Sequence, residues 1–157
     1  MAVLQKVRSC LWFEKGGEDA LALYAGLFDD GEMGEVWRND NGSVLTATAR
    51  FGGQEVIALN GGPHYKLSPA FSFSVTCADQ EEVDRLWSGL LAGGGKETQC
   101  GWLDDRFGVS WQIVPQAMYD LMGNPDAEVR KRVFTAMLGM VKLDVAALEA
   151  AAKGTEG

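Results

Sequence analysis

The side chains best suited to hold a small molecule are tryptophans and neutral polar residues in the segment 100–115. An indole ring is a flat apolar wall with one hydrogen-bond donor and suits a planar ligand, although tryptophans on short strands also fill cores. Because side chains alternate along a strand, Trp102 and Cys100 should share one face, and Gln112 should point away from Trp111 and Ile113. Trp102 and Gln112 therefore lead a predicted ligand-binding set, whose other members are Trp12, Asn60, Ser72 and Cys100.

The three cysteines are candidates for a nucleophile, but their surroundings favour a structural role. Cys10, Cys77 and Cys100 each lie in an apolar run. Activation of a thiol requires a nearby base or a helix N-terminus, and the sequence indicates neither. We therefore expect reduced, buried thiols.

Some charged residues could also do chemistry. Glu14, Asp104 and Asp105 could act as acid or base, yet they fall in predicted turns, where we expect solvated carboxylates. Asp105 should order the turn into Phe107-Gly108. The Arg-Lys-Arg run at 130–132 is predicted to be the solvated side of a helix and not an anion site. Catalytic residues therefore stay unassigned.

Composition predicts one folded domain of 157 residues, 46% of them apolar. The 22 acidic and 14 basic residues give a net charge of -8, which disfavours nucleic acid and anionic membranes as partners. No apolar run approaches the roughly 20 residues that span a bilayer, and the amino terminus is unlike a secretory signal. The three unpaired cysteines fit a cytoplasmic location.

Two segments repeat one order of predicted elements, namely a strand, a helix and three strands. In the first module (7–60) these elements are predicted over 7–13, 18–28, 34–38, 43–51 and 54–60. In the second module (70–115) they are predicted over 71–77, 79–92, 96–99, 100–104 and 110–114. Asp79 is the expected N-cap of the second helix, with Glu82 completing a capping box.

The segment 116–153 is predicted to be a helical extension. A short helix over 116–122 should be followed by a longer one with Pro125 at its first position, and Asp144 should cap a final helix. Apolar residues recur at helical spacing in the longer helix. They predict a stripe that docks on a sheet or a partner, formed by Val129, Val133, Phe134, Met137, Leu138 and Val141.

Three motifs carry a resemblance to a known family. They are Asn60-Gly-Gly-Pro63, Ser74-Val-Thr-Cys77 leading into Gln80-Glu-Glu-Val-Asp84, and Cys100-Gly-Trp-Leu103 with Asp105-Arg-Phe-Gly-Val-Ser-Trp-Gln-Ile-Val-Pro115. From about Leu11 to Asp144 the sequence resembles the PhnB-like branch of the glyoxalase/bleomycin-resistance/extradiol-dioxygenase (vicinal oxygen chelate) superfamily. The resemblance implies an α+β fold of two βαβββ modules that curl around a cleft, usually in a homodimer.

The resemblance also implies where a metal would bind in relatives that use one, through His and Glu on the first and last strands of the modules. The last-strand Glu falls on Gln112, the second-module His falls near Ser72, and the stretch from Arg8 to Cys10 offers neither residue type. Amide and hydroxyl groups are poor replacements for these ligands. We therefore expect no metal and no cofactor.

Many members of this family carry a 3-demethylubiquinone 3-methyltransferase label. A methyltransferase would usually place a glycine-rich turn directly after a parallel strand, whereas Gly93-Gly94-Gly95 follows a predicted helix. The glycines are therefore predicted to form a helix C-cap and loop.

Three functions are compatible with the sequence. The leading hypothesis is metal-independent binding of an apolar or planar small molecule in a cleft with aromatic walls and amide or hydroxyl donors. An alternative is a lyase, isomerase or dioxygenase with an atypical metal shell that includes Glu14, His64 or Gln112. The third is an interaction module whose C-terminal helices dock a partner. The ligand, and whether the protein is an enzyme, stay open.

Overall fold

The computed structural model describes residues 5–155, and the chain divides after Ser68 into two compact units. The first unit contains β1 (Ser9–Phe13), α1 (Gly17–Leu27), β2 (Glu32–Arg38), β3 (Val44–Phe51) and β4 (Gln54–Asn60). The second unit contains β5 (Ser72–Cys77), α2 (Gln80–Leu91), β6 (Lys96–Glu97), β7 (Trp102–Asp104), β8 (Ser110–Pro115), α3 (Gln116–Met122), α4 (Ala127–Leu138) and α5 (Val145–Lys153). This order confirms an α+β fold of two βαβββ modules with a helical extension. That the whole chain forms one domain stays a prediction.

The first sheet has the order β1-β4-β3-β2, with β1 parallel to β4 and the other neighbours antiparallel. One face of this sheet packs against α1, whose Ala20, Leu21 and Tyr24 are buried. The approach is close at Gly17, where an added Cβ would lie 2.8 Å from the Cβ of Ala58. A residue without a side chain is therefore needed where the helix begins.

The second sheet repeats the arrangement, with the order β5-β8-β7-β6 and β5 parallel to β8. Helix α2 begins after Asp79, whose carboxylate accepts a hydrogen bond from the backbone N–H of Glu82 at 2.9 Å, as predicted. Glu82 in turn accepts from the backbone N–H of Ala78, one residue before the expected donor. The buried residues of α2 pack against the sheet face that carries Trp111 and Ile113.

The strand predicted to start at residue 100 begins at Trp102. Cys100 and Gly101 have φ angles of 56° and 84°, and this left-handed backbone does not continue a strand. The expectation that Cys100 and Trp102 share a strand face is therefore wrong. β6 has two residues where four were expected, and the other boundaries lie close to their predicted positions.

The helical extension packs around a small buried cluster composed of Val114, Met118, Val133, Leu143 and Leu148. Asp144 caps α5 by accepting from the N–H of Ala147 at 2.8 Å, which confirms the predicted cap. Pro125 does not open α4, because Asp126 is the N-cap and the helix begins at Ala127. No helix within residues 5–155 combines the length and apolar character needed to cross a bilayer.

The predicted apolar stripe of α4 is only partly correct. Val133 is buried, and Val129 and Met137 are partly buried against the cluster. Phe134, Leu138 and Val141 are exposed by 45%, 52% and 41%. Half of the stripe therefore faces outward and does not pack within the unit.

Candidate functional site

The candidate site is the face of the second sheet turned away from α2, which we call the open face. Trp111 and Ile113 are fully buried on the α2 side, so the intervening Gln112 points the other way, as predicted. Cross-strand pairing places seven side chains of the open face in two rows. The first row is Ser74, Gln112 and Trp102, and the second is Ser72, Ser110, Asp104 and Lys96.

Gln112 is held by a diagonal hydrogen bond between the two rows. Its Nε2 donates to Oγ of Ser72 at 2.9 Å, and both side chains are half-buried. The two residues are 40 positions apart and meet because β5 and β8 are parallel neighbours. In the described part of the chain, the amide oxygen of Gln112 accepts no hydrogen bond, so it can accept one from a ligand.

Trp102 lies directly beside this amide. It is the antiparallel partner of Gln112 and lies on the same face of the sheet. The residue is half-buried, so part of its surface stays exposed. A flat ring next to a fixed amide can hold a planar molecule by ring contact and by paired hydrogen bonds.

Asp104 brings a carboxylate to the second row. Its Oδ1 accepts a hydrogen bond from Oγ of Ser110 at 2.6 Å, which fixes the side-chain rotamer. Ser110 is 2% exposed, whereas Asp104 is half-buried. One carboxylate oxygen therefore bonds a buried serine hydroxyl, and the side chain as a whole stays partly exposed.

Asp105 organises the turn that joins β7 to β8. One carboxylate oxygen accepts from the backbone N–H groups of Phe107 and Val109, and the other accepts from Nε1 of Trp111 at 2.9 Å. The side chain is 4% exposed, so the expectation of a solvated carboxylate is wrong for this residue. Its predicted role in ordering the turn is confirmed, and the turn sets the register that pairs Trp102 with Gln112.

Cys100 lies at the end of the sheet where the extension attaches. Its backbone N–H donates to the carbonyl of Met140 at 2.8 Å, and its thiol donates to the carbonyl of Leu138 at 3.6 Å. Val114, at the same end of β8, belongs to the buried cluster of the extension. Cys100 thus contacts the extension instead of joining the two rows.

Trp12 and Asn60 belong to the first unit, where both serve the local fold. Nε1 of Trp12 donates to the carbonyl of Gly62 at 2.9 Å, and the indole meets the ring of Tyr65 edge-on with centroids 5.0 Å apart. The amide of Asn60 accepts from the N–H of Gly17 at 2.8 Å and donates to Glu18 and to the carbonyl of Val44. Their predicted role in ligand binding stays a prediction.

The side chains present do not fit a metal site. Among residues 5–155, no group of three or more His, Cys, Asp or Glu side chains is arranged to hold a metal ion. Glu14 and His64 are exposed, and the amide of Gln112 is paired with a serine hydroxyl. Metal dependence itself stays untested.

The cysteines differ in exposure, which corrects the expectation that all three are buried. Cys10 is exposed, Cys100 is intermediate and Cys77 is buried. Burial, followed by the charge of Glu82, raises the pKa of the Cys77 thiol to about 12. Cys10 is exposed as a residue, but partial desolvation still raises the pKa of its thiol, with Arg8 opposing the effect. Neither thiol is therefore activated as a nucleophile.

The glycine run at the end of α2 does not form a nucleotide-type turn. The helix ends at Leu91 with Ala92 as its C-cap, whose N–H donates to the carbonyl of Ser88, and Gly93 and Gly94 follow with φ of 85° and 126°. The side chain of Arg106 covers this turn and donates to the carbonyl of Ala92 at 3.3 Å. The predicted helix C-cap and loop is confirmed, so this segment does not fit a methyl-donor cofactor.

The paired βαβββ modules define a protein of the vicinal oxygen chelate class. A family model described as 3-demethylubiquinone-9 3-methyltransferase matches residues 5–114. The chain therefore belongs to that family, in the PhnB-like branch of the glyoxalase/bleomycin-resistance/extradiol-dioxygenase superfamily. Among curated proteins, none matches.

Solved structures agree with this assignment. A PhnB protein from Bacillus cereus, described as a 3-demethylubiquinone-9 3-methyltransferase, is 32% identical over 71% of this chain and 99% of its own, with a TM-score of 0.65. PA1353 from Pseudomonas aeruginosa is 19% identical over 71% and 98%, with a TM-score of 0.59. The fosfomycin resistance protein FosX from Listeria monocytogenes, in complex with Mn(II) and a dihydroxypropylphosphonic acid, is 13% identical over 72% and 93%, with a TM-score of 0.54. The last two show similarity of fold alone.

Of the predicted ligand-binding residues, the structure brings Ser72, Trp102 and Gln112 together on the open face. The sequence pattern does not predict Asp104, Ser74 and Ser110 as members of this set. Asp104 is expected in a turn, although its spacing of two from Trp102 places both on one face of β7. That alternation was the signal that could have identified it.

Proposed function

We propose that this chain is a metal-independent small-molecule binding protein and that the open face of its second sheet is the binding surface. The observation that supports this most is the adjacency of Trp102 and Gln112, with the amide fixed by Ser72 at 2.9 Å. A preformed array of this kind loses little conformational entropy when a ligand binds. The ligand class that suits it is a planar molecule with both a donor and an acceptor for the Gln112 amide.

The side-chain set on the open face favours binding without a metal over the enzymatic alternative. The position expected to supply a carboxylate ligand is a glutamine, and the position expected to supply an imidazole is a serine. The amide nitrogen of Gln112 and the hydroxyl of Ser72 bond each other. This pairing is suited to direct hydrogen bonding of a ligand, and neither of these two residues offers a divalent cation an anionic or imidazole ligand.

The proposal is tested with a panel of neutral planar fragments, beginning with 2-quinolinone, which carries an N–H beside a carbonyl. Binding is followed by the NMR shifts of the Trp102 indole and Gln112 amide protons. Trp102→Ala and Gln112→Ala should each weaken binding about fivefold or more, because each removes one of the two contacts. The control is Trp37→Ala, which removes an exposed tryptophan from β2 of the first unit. Binding that is unchanged in both open-face variants, or absent for the whole panel, would contradict the proposal.

We also propose a homodimer, located in the cytoplasm. Phe134 and Leu138 are exposed apolar side chains one helical turn apart on α4, with exposed Val141 just beyond them. A second copy of the chain that covered these side chains would remove apolar surface from water. Light scattering should give the mass of two chains for the wild type and of one chain for Leu138→Glu. A monomeric wild type would refute the dimer.

A further inference from the structure

Asp104 places a carboxylate on the open face, and the proposed function assigns it no role. Its carboxylate is half-buried, and its hydrogen-bond partner, the hydroxyl of Ser110, is neutral. Lys96 is its cross-strand partner, yet neither Lys96 nor any other cation within residues 5–155 forms a salt bridge with it. The open face therefore carries a negative charge that the described chain does not pair.

This charge lies beside the ring that the ligand is proposed to contact. Asp104 follows Trp102 by two positions on β7, so both side chains lie on the open face. The face of an indole attracts cations, and a neighbouring carboxylate adds to that attraction. The other residues of the two rows, apart from Lys96 at the sheet edge, are neutral.

We infer that Asp104 sets the selectivity of the open face, which takes planar ligands that carry a positive charge or a hydrogen-bond donor and disfavours anions. This inference rests on the proposed function, because it requires a ligand on Trp102. The carboxylate accepts a donor from the ligand on the side not used by Ser110, while the indole contacts the ring. An anionic ligand meets the same carboxylate across a half-buried surface and is repelled.

The test compares three bicyclic probes of similar size and different charge: N-methylquinolinium, quinoline at about pH 8, where it is uncharged, and quinoline-2-carboxylate. Dissociation constants are measured by NMR titration at the Trp102 indole. The wild type should bind the cation tightest and the anion weakest. Asp104→Asn should reduce the ratio of anion to cation dissociation constants about three- to tenfold, the range expected for one partly exposed charge.

The variant keeps an oxygen that can accept the Ser110 hydroxyl, so the local structure is retained. Glu149→Gln on α5 is the matched control, because it changes the net charge equally at an exposed position outside the open face. A ratio unchanged in Asp104→Asn, or lowered equally by Glu149→Gln, would overturn the inference while leaving the proposed function intact. Failure of all three probes to shift Trp102 would count against the proposed function as well.

Discussion

Asp105 is the residue on which the geometry of the open face depends most directly. Its carboxylate accepts two backbone N–H groups of the turn and the indole N–H of Trp111, all on the buried side of the β7–β8 hairpin. The hairpin register pairs Trp102 with Gln112 on the opposite face. A buried anion with several donors thus positions two side chains that it does not touch.

Asp105→Asn should destabilise the protein by about 1–3 kcal/mol. The amide oxygen can still serve the turn, but its NH2 group then faces the indole N–H of Trp111, and a buried donor is left without an acceptor. Trp111→Phe should lower the free energy of unfolding less in the Asp105→Asn protein than in the wild type, because it removes the indole N–H that the asparagine leaves without an acceptor. Urea unfolding of the four proteins measures this coupling, and simple additivity would contradict the account.

The control is Asp126→Asn, a substitution of the same chemistry at the N-cap of α4. Asparagine caps helices as well as aspartate, so the change in stability should be within about 0.5 kcal/mol.

Cys77 should make stability depend on pH. Its folded-state pKa is raised to about 12 from 9.0, so below pH 9.0 the thiol is protonated in both states and the advantage of the folded state is fully present. As the pH rises toward 12 the unfolded chain ionises first and this stability is lost. Between about pH 8 and about pH 10.5, the wild type should lose about 2 kcal/mol more than Cys77→Ala. Equal losses in urea unfolding would refute the raised pKa.

The sheet face on which a side chain lies could be predicted within a regular strand. It could not be predicted for a residue whose backbone is not extended. Trp111, Ile113 and Gln112 lie on the predicted faces because β8 is regular. Cys100 does not, because a non-glycine residue with φ of 56° is uncommon and has no sequence signature. The pairing of Gln112 with Ser72 depends on which strands are neighbours, and local patterns do not contain that information.

Among the elements, the helical extension is joined to the rest of the second unit by hydrogen bonds from α2 and by one close packing contact. Gln80 of α2 donates to the carbonyl of Leu143 and accepts from the N–H of Val145 at 2.7 Å. Leu143 is fully buried, and an added Cβ on Gly101 would lie 3.0 Å from its Cγ. The glycine is required both by its φ of 84° and by this approach.

Gly101→Ala should therefore destabilise the protein more than Gly108→Ala. Both glycines have nearly the same positive φ, 84° and 86°, so both variants share the backbone cost. A Cβ at Gly108 meets nothing within 4 Å, whereas one at Gly101 meets Leu143. The excess in urea unfolding should be about 1–3 kcal/mol, with faster proteolysis of α4 and α5. Equal effects would show that the contact is unimportant.

Elements with clear boundary signals were predicted well. Asp79 and Asp144 cap helices as expected, because each precedes a run of helical residues and its carboxylate accepts from the backbone N–H three positions later. The helix predicted to open with Pro125 begins two residues later, because Asp126 is the N-cap and accepts from the backbone N–H of Glu128. In β6 only Lys96 and Glu97 pair with β7. Strand length depends on the residues of the neighbouring strand, which local sequence patterns do not contain.

At the scale of the whole molecule, the duplication could be predicted because each module repeats one order of elements with glycine turns between strands. The family match over residues 5–114 and the PhnB structure from Bacillus cereus agree with it. The chemistry could not be predicted from membership alone, because the positions where the resemblance implies a carboxylate and an imidazole hold Gln112 and Ser72. An amide and a hydroxyl occupy them and bond each other.

Binding without a metal can be measured by titrating 2-quinolinone into untagged protein before and after treatment with a chelator, with the metal content measured in parallel. We expect far less than one metal ion per chain and a dissociation constant that changes by less than about twofold on chelation or on addition of Mn(II). Near-stoichiometric metal whose removal abolishes binding would contradict it.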